Sequence, residues 1–156
     1  MNKITTWLSY KDNAEEAMKF YLSVFKNSKA GHISRYPEGG QVLPGKVMVA
    51  EFELEGHKFF ALNGTPNFKF SEAVSFSISC KDQEEVDYYW NKLTEDGGQE
   101  SQCGWLKDKF GLSWQVVPSV MGQLMNQKDP EKAKRGMEAM MKMKKIIIKD
   151  IEDSLR

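Results

Sequence analysis

The sequence predicts an α+β fold made of two successive units, each a strand, a helix and then further strands. Three observations predict it. The order of elements occurs twice, each helix begins at a capping residue, and the clearest strand alternates apolar and polar side chains. The two N-cap positions, Asn13 and Asp82, are 69 residues apart. Any two amphipathic helices resemble each other, but the shared strand context favours duplication over coincidence.

The first unit is expected over about residues 1–66. A β-prone strand at Ile4–Tyr10 precedes a helix that Asn13 caps, with Glu16 in position to complete a capping box. Glycine and proline separate the strands that follow it. These strands are expected at His32–Tyr36, Lys46–Leu54 and His57–Asn63.

The second unit is expected over about residues 73–118, so the two units form one domain over residues 1–118. A strand at Ala73–Cys80 leads into a helix that Asp82 caps together with Glu85. Two strands, Glu100–Trp105 and Leu112–Val117, should close the unit around a charged turn.

A helical extension is expected over residues 119–156. Asp129 and Pro130 form an N-cap and N1 pair, and a helix rich in Lys and Met should run from Glu131 towards Lys145. Its basic amphipathic pattern occurs in membrane-surface and partner-binding helices. We favour a helix that covers a sheet edge or a second subunit.

The composition is that of a globular protein with balanced charge. The 156 residues include 22 basic and 22 acidic side chains, which predicts no binding to nucleic acid or to an anionic membrane. Cys80 and Cys103 form no disulfide framework. The first residues contain no apolar run of the length of a signal peptide or membrane span. We therefore expect a cytoplasmic protein with free thiols.

Four stretches resemble a known family, and they run in order from Asn13 to Lys145. They are NAEEAMKFYLSVFKNSK, FALNGTPNFKFSEAVSFSISC, QCGWLKDKFGLSWQVVP and DPEKAKRGMEAMMKMKK. The chain resembles the PhnB-like (3-demethylubiquinone-9 3-methyltransferase-like) branch of the glyoxalase, bleomycin resistance and dioxygenase group, the vicinal oxygen chelate superfamily. The resemblance implies paired βαβββ units that form a curved mixed sheet around a cup, and a homodimer.

The methyltransferase label of this branch conflicts with the sequence. A doubly wound methyltransferase needs a glycine-rich turn between an early strand and its helix. The turn here, Tyr10–Asn13, contains no glycine. We therefore expect no methyl transfer.

In glyoxalase-like members of the superfamily, one side chain from each of four strands holds a divalent metal. The resemblance places these positions near Thr6, at Ala61 or Asn63, at Ser75 and at Gln115. Gln115 stands at the glutamate of the family pattern Asp-x-x-Gly-x-x-x-Glu, which this chain reads as DKFGLSWQ. None of these side chains is a carboxylate or an imidazole, and such neutral groups bind divalent ions weakly. We expect no strong metal site and no cofactor.

Further candidates come from the residue types themselves. Glu51 shares a strand face with Glu53, which suits a solvated face or, in the cup, a base or metal ligand. Cys103 beside Trp105 fits a nucleophile near an aromatic wall, although a small buried residue beside a core Trp is the commoner arrangement. The candidate ligand-binding residues are Thr6, Glu51, Asn63, Ser75, Cys103, Trp105 and Gln115.

Three functions fit this sequence. The first, which we favour, is binding of a small-molecule ligand in the cup without a strong metal site. The second is a metal-dependent enzyme of the lyase, isomerase or dioxygenase type, with Glu51 or Gln115 as a metal ligand. The third is a structural or regulatory dimer whose cup is filled by its own aromatic side chains. The sequence names no ligand and no reaction.

Overall fold

A computed structural model describes residues 2–156, so Met1, the first residue of the predicted domain, lies outside the described part. The chain divides after Lys69 into two compact units. Each unit contains one open, mixed sheet of four strands and a helix between its first two strands. The predicted α+β class is confirmed, and both units have the order of strand, helix and three strands that the family resemblance implies.

The first unit has strand order β1-β4-β3-β2, in which β1 is parallel to β4 and the other pairs are antiparallel. Helix α1 packs on one face of this sheet, where the rings of Tyr21, Phe52 and Phe59 stack in sequence and are buried. A two-residue turn at Glu55 and Gly56, both with positive φ, joins β3 to β4. The elements are β1 (Thr6–Ser9), α1 (Ala14–Val24), β2 (Ser28–Arg35), β3 (Val47–Leu54) and β4 (His57–Leu62).

Helix α1 begins at the predicted residue but is capped differently. The side chain of Asn13 makes no capping hydrogen bond. The N–H of Ala14 instead donates to Oδ1 of Asn63 at 2.9 Å, and Nδ2 of Asn63 donates to the carbonyl of Val47 at 2.9 Å. The predicted capping box of Asn13 with Glu16 is therefore wrong, because the residue after β4 supplies the acceptor from across the unit.

The second unit repeats the topology with strand order β5-β8-β7-β6. The predicted cap of α2 is confirmed, since Oδ1 of Asp82 accepts from the N–H of Glu85 at 2.9 Å. A 3₁₀ turn at Glu95–Gly97 follows the helix. The elements are β5 (Ser75–Cys80), α2 (Gln83–Thr94), β6 (Gln99–Glu100), β7 (Trp105–Lys107), β8 (Ser113–Pro118), α3 (Met121–Met125), α4 (Pro130–Met141) and α5 (Ile148–Ser154).

The predicted strand Glu100–Trp105 is two strands in the structure. Cys103 and Gly104 between them have φ values of 57° and 84°, a left-handed conformation that a strand cannot contain. A side chain on Gly104 would also stand 2.9 Å from the carbonyl of Val116, so glycine is required by space as well. The sequence pattern missed this turn because Cys103 is a non-glycine residue with positive φ.

The C-terminal segment packs within the second unit and does not form a separate body. Nε2 of Gln83 donates to the carbonyl of Ile146 at 2.9 Å, and its Oε1 accepts from the N–H of Ile148 at 2.8 Å. Ile146 and Ile151 are fully buried. Helix α4 ends at Met141, earlier than the predicted continuation towards Lys145. No helix of residues 2–156 is long and apolar enough to cross a membrane.

Candidate functional site

The second sheet brings several of the candidate residues together. Side chains alternate along β8, so Trp114 and Val116 face α2 while Ser113 and Gln115 lie on the opposite face, called here the helix-free face. Two rows of paired residues cross this face. They are Ser75–Ser113–Lys107 and Ser77–Gln115–Trp105.

Gln115 is held in place by a hydrogen bond within this face. Its Nε2 donates to Oγ of Ser75 at 2.9 Å, diagonally between the two rows. Gln115 also lies directly opposite Trp105 on β7. The structure thus places Ser75, Trp105 and Gln115 on one surface that offers neutral hydrogen-bonding groups beside an aromatic ring.

The turn before β8 fixes the register of Gln115. The buried carboxylate of Asp108 accepts from the N–H groups of Phe110 and Leu112, at 2.8 and 3.1 Å, and from Nε1 of Trp114 at 2.9 Å. Gly111 has a φ of 88° and returns its N–H to the carbonyl of Asp108. The Asp and Gly of the Asp-x-x-Gly pattern therefore build the turn that presents the last strand.

A small pocket adjoins this surface. It measures about 130 Å³, and its lining residues are Glu72, Gln99, Glu100, Ser101, Trp105, Leu106, Lys107 and Ser113. The Oγ of Ser113 is buried and has no hydrogen-bond partner in the described part of the chain. Lys107 forms an ion pair with Glu72 at 2.5 Å, and this contact lowers the pKa of the Glu72 carboxyl.

Sequence reasoning identified Trp105 as a candidate and missed the other residues that line the pocket. Ser113 carried a usable signal, since it lies two residues before Gln115 and the strand period of two places both on one face. The pairing of Glu72 with Lys107 carried none, because 35 residues separate them and no local pattern links the two side chains.

The helix-free face of the first sheet has a different composition. Trp7 stacks on Phe60 with 4.5 Å between ring centroids and an interplanar angle of 13°. Glu51 on β3 lies opposite Phe60 on β4. Its carboxylate forms an ion pair with Lys58 at 2.8 Å, and this contact raises the pKa of Lys58. A Cβ atom at Gly31 on the neighbouring strand would lie 3.0 Å from Cγ of Glu51. Glycine at this position therefore leaves room for the Glu51 side chain. Glu51 is thus engaged in an ion pair within the first unit.

Two candidate positions in the first unit, Thr6 and Ala61, lie on the helix-covered face. Thr6 pairs with the buried Phe59, so it lies on the helix-covered face, where its Oγ1 forms a hydrogen bond with Nε2 of His57 at 2.9 Å. Ala61 is fully buried on the same face. In the shared topology, the first-unit row that corresponds to Ser77–Gln115–Trp105 is Trp7–Phe60–Glu51.

Asn63 and Cys103 are occupied by local structure. Asn63 is 2% exposed, and the oxygen and the nitrogen of its side-chain amide both form hydrogen bonds with backbone groups. Its amide is therefore used within the fold. Cys103 lies in the turn before β7, where its N–H donates to the carbonyl of Met143 and its Sγ lies 3.6 Å from the carbonyl of Met140. The other thiol, Cys80, is buried, and burial raises its pKa to about 12.

The donor set of the second sheet does not fit a glyoxalase-type metal centre. Such a centre needs carboxylates or imidazoles to offset the desolvation of a divalent ion. Ser75 and Gln115 are neutral, and the amide N–H of Gln115 points at the serine oxygen. Across residues 2–156, no three His, Cys, Asp or Glu side chains are grouped so that they could hold a metal.

Comparison with known proteins identifies the family. The family model described as 3-demethylubiquinone-9 3-methyltransferase matches residues 2–117. The solved PhnB protein from Bacillus cereus is 38% identical, with a TM-score of 0.70 over 75% of this chain and 99% of that chain. No curated protein matches the sequence.

Two more distant solved structures share the fold alone. A protein from Pseudomonas aeruginosa is 19% identical with a TM-score of 0.63, over 76% of this chain and 98% of that chain. The fosfomycin resistance protein FosX from Listeria monocytogenes is 15% identical with a TM-score of 0.53, over 81% and 98%. With its two βαβββ units and the matched motifs, the chain belongs to the PhnB-like 3-demethylubiquinone-9 3-methyltransferase family.

Proposed function

We propose that the protein binds a small organic molecule on the helix-free face of its second sheet, without a strong metal site. The observation that carries this proposal is the amide of Gln115, fixed by Ser75 at 2.9 Å and placed opposite Trp105. An apolar wall with a few oriented polar groups is the usual composition of a small-molecule site. The aromatic ring supplies contact area, and the amide supplies direction.

A metal-dependent lyase, isomerase or dioxygenase is the alternative, and the charges argue against it. Gln115 stands where the family pattern has a glutamate, and its amide brings no charge to a metal. Glu51 is paired with Lys58 at 2.8 Å. Methyl transfer, which the family description names, is disfavoured by the turn at residues 10–13, which has no glycine.

The structural alternative has one observation in its favour, confined to the first unit. The stacked rings of Trp7 and Phe60 occupy the helix-free face there, and Trp7 is 52% exposed. A surface of this kind suits packing more than ligand chemistry. We therefore assign ligand binding to the second sheet, and the homodimer stays a prediction.

Thermal unfolding of the purified protein against a panel of small neutral and aromatic molecules tests the proposal. Ligands that bind the native state raise the unfolding temperature in a concentration-dependent way. Gln115→Leu should weaken the best ligand about fivefold, since one lost hydrogen bond is worth roughly 1 kcal/mol. Phe60→Leu, at the corresponding position of the first sheet, is the matched control and should leave the affinity unchanged.

Two results would contradict the proposal. Ligands whose affinity is the same in Gln115→Leu bind elsewhere on the protein. Stoichiometric bound metal in the purified protein, lost in Gln115→Ala, would favour the metal-dependent enzyme. Elemental analysis of both proteins, as purified, measures this directly.

A further inference from the structure

The pocket beside Gln115 contains a polar group that the fold does not use. The Oγ of Ser113 is buried, with 1% of the residue exposed, and no group among residues 2–156 forms a hydrogen bond with it. Buried polar groups in native proteins are almost always paired, so an unpaired one marks a place where another molecule completes the hydrogen bonding. A hydroxyl can both donate and accept.

Each charged side chain of the pocket already has a partner. Lys107, in the same row as Ser113, pairs with Glu72 at 2.5 Å, and this contact lowers the pKa of the Glu72 carboxyl. The other carboxylate of the lining, Glu100, accepts a hydrogen bond from Nε1 of Trp90 at 2.7 Å. A cationic ligand would have to displace Lys107 or Trp90 from these carboxylates, and an anionic ligand would lie beside both of them. A neutral group avoids both costs.

We propose that this pocket takes a neutral head group that both donates and accepts hydrogen bonds, of the carboxamide type. The inference rests on the proposed function and names the chemical class of its ligand. The hydroxyl of Ser113 donates to the carbonyl oxygen of the head group and accepts from its N–H. The volume of about 130 Å³ holds roughly four to six heavy atoms, and the rest of the ligand extends past Trp105 towards Gln115.

Three probe molecules of the same shape, one neutral, one anionic and one cationic, test the chemical class of the head group. Acetamide, acetate and acetamidinium are titrated into isotope-labelled protein, and the backbone N–H signals of Trp105, Lys107 and Ser113 are followed by NMR. Acetamide should bind at these signals at least about fivefold more tightly than either ion. An ion that binds there as well as acetamide overturns the proposal, and so does acetamide that moves none of the three signals.

Substitution of Ser113 separates binding from folding. Ser113→Ala should weaken acetamide about three- to tenfold without lowering the midpoint of urea unfolding, because the hydroxyl has no partner to lose. A purely structural serine would show the opposite pattern. Ser79→Ala, exposed on the same face of β5 and outside the pocket, is the control. Unchanged acetamide affinity in Ser113→Ala overturns the assignment.

The ion pair gives a second, independent test. Glu72→Gln leaves Lys107 without its partner, so the probe preference should move towards acetate. Lys107→Met leaves Glu72 alone and should move the preference towards acetamidinium. If neither variant changes the order of the three probes, the ion pair does not set the charge preference and the argument fails.

Failure of this inference and failure of the proposed function are distinguishable. Acetamide is too short to reach Gln115 from the pocket, so Gln115→Leu should retain acetamide binding while it loses the larger ligands. Acetate preference together with ligands that depend on Gln115 would overturn the carboxamide class and leave the proposed function standing. Acetamide binding without any ligand that depends on Gln115 would contradict the proposed function.

Discussion

The two units share one topology and differ on the face that no helix covers. In the first unit the central row is Trp7, Phe60 and Glu51, an aromatic stack beside an ion pair. In the second unit the corresponding row is Ser77, Gln115 and Trp105. The helix-covered faces keep the same apolar alternation in both units. Burial against the helix thus holds the fold constant, while the opposite face has diverged in chemistry.

The units also differ in how their helices begin. Helix α2 uses its own N-cap, Asp82, whereas α1 depends on Asn63 from the end of the last strand. A local cap stabilises one helix end, but a cap from a distant strand joins the helix to the sheet. Equivalent elements are therefore held by interactions of different sequence range, and mutations should affect the two units unequally.

The largest expected effect is at Asp108, in the hairpin of the second unit. Asp108→Ala leaves three donors without their acceptor, two of them backbone N–H groups, so the free energy of unfolding should fall by about 4 kcal/mol. Urea unfolding followed by tryptophan fluorescence measures it, since three of the four tryptophans lie in the second unit.

The hairpin of the first unit supplies the control for Asp108. Glu55 occupies its two-residue turn and forms one exposed hydrogen bond, from Nδ2 of Asn27 at 3.1 Å. Glu55→Gln should change the free energy of unfolding by less than about 0.5 kcal/mol. A similar loss in both variants would mean that the buried carboxylate is not what distinguishes the two turns.

A smaller difference is expected between the two helix caps. Asn63→Ala removes a buried acceptor and a buried donor together and should cost about 2–4 kcal/mol. Asp82→Ala, at an exposed cap, should cost about 1 kcal/mol. Thermal unfolding of both variants measures the gap. Equal losses would show that the distant cap adds nothing to a local one.

The smallest effect concerns acid. The side-chain hydrogen bond from Arg35 lowers the pKa of Glu15 in the first unit, and that from Gln83 lowers the pKa of Asp87 in the second. A lowered folded-state pKa contributes stability above the unfolded value, 4.5 for Glu and 3.8 for Asp, and that stability is lost as pH falls through the folded value.

The unfolding temperature should therefore decrease between pH 5 and pH 3. Glu15→Gln and Asp87→Asn should each make this decrease shallower, and their effects should add, since the two pairs lie in different units. If both variants keep the pH dependence of the unsubstituted protein, these two hydrogen-bonded carboxylates do not cause the decrease in unfolding temperature.

Much of the fold follows from local signals in the sequence. The start of α2 was predictable because Asp82 bonds a residue three positions ahead. The β3 strand was predictable because buried and less buried residues alternate over its second half, and β4 because Gly56 marks the turn before it. The start of α1 was found but its cap was not, since Asn63 lies 49 residues from Ala14. A local sequence pattern therefore predicts hydrogen bonds between residues close in the chain, and it does not predict those between distant residues.

The site was predictable to a smaller extent. The resemblance to the family pattern made the place of Gln115 on the last strand predictable, because the turn at Asp108 that fixes its register is encoded within eight residues. The face on which Thr6 lies was not predictable, because nothing in Ile4–Tyr10 states which alternate residues face the helix, and a shift of one residue reverses the faces. The pocket at Ser113 depends on an ion pair between distant residues, which no single stretch encodes.

The two hydrogen bonds that join Gln83 to Ile146 and Ile148 have a consequence for folding during synthesis on the ribosome. The sheet of the first unit is complete once β4 at His57–Leu62 has emerged, because β1 pairs with it. The second unit needs Ile146 and Ile151 for its core and Ile148 to pair with Gln83. The first unit can fold while translation continues, whereas the second unit must wait for nearly the whole remaining chain. A nascent chain stalled before residue 146 would therefore display a finished first unit and an unfinished second unit.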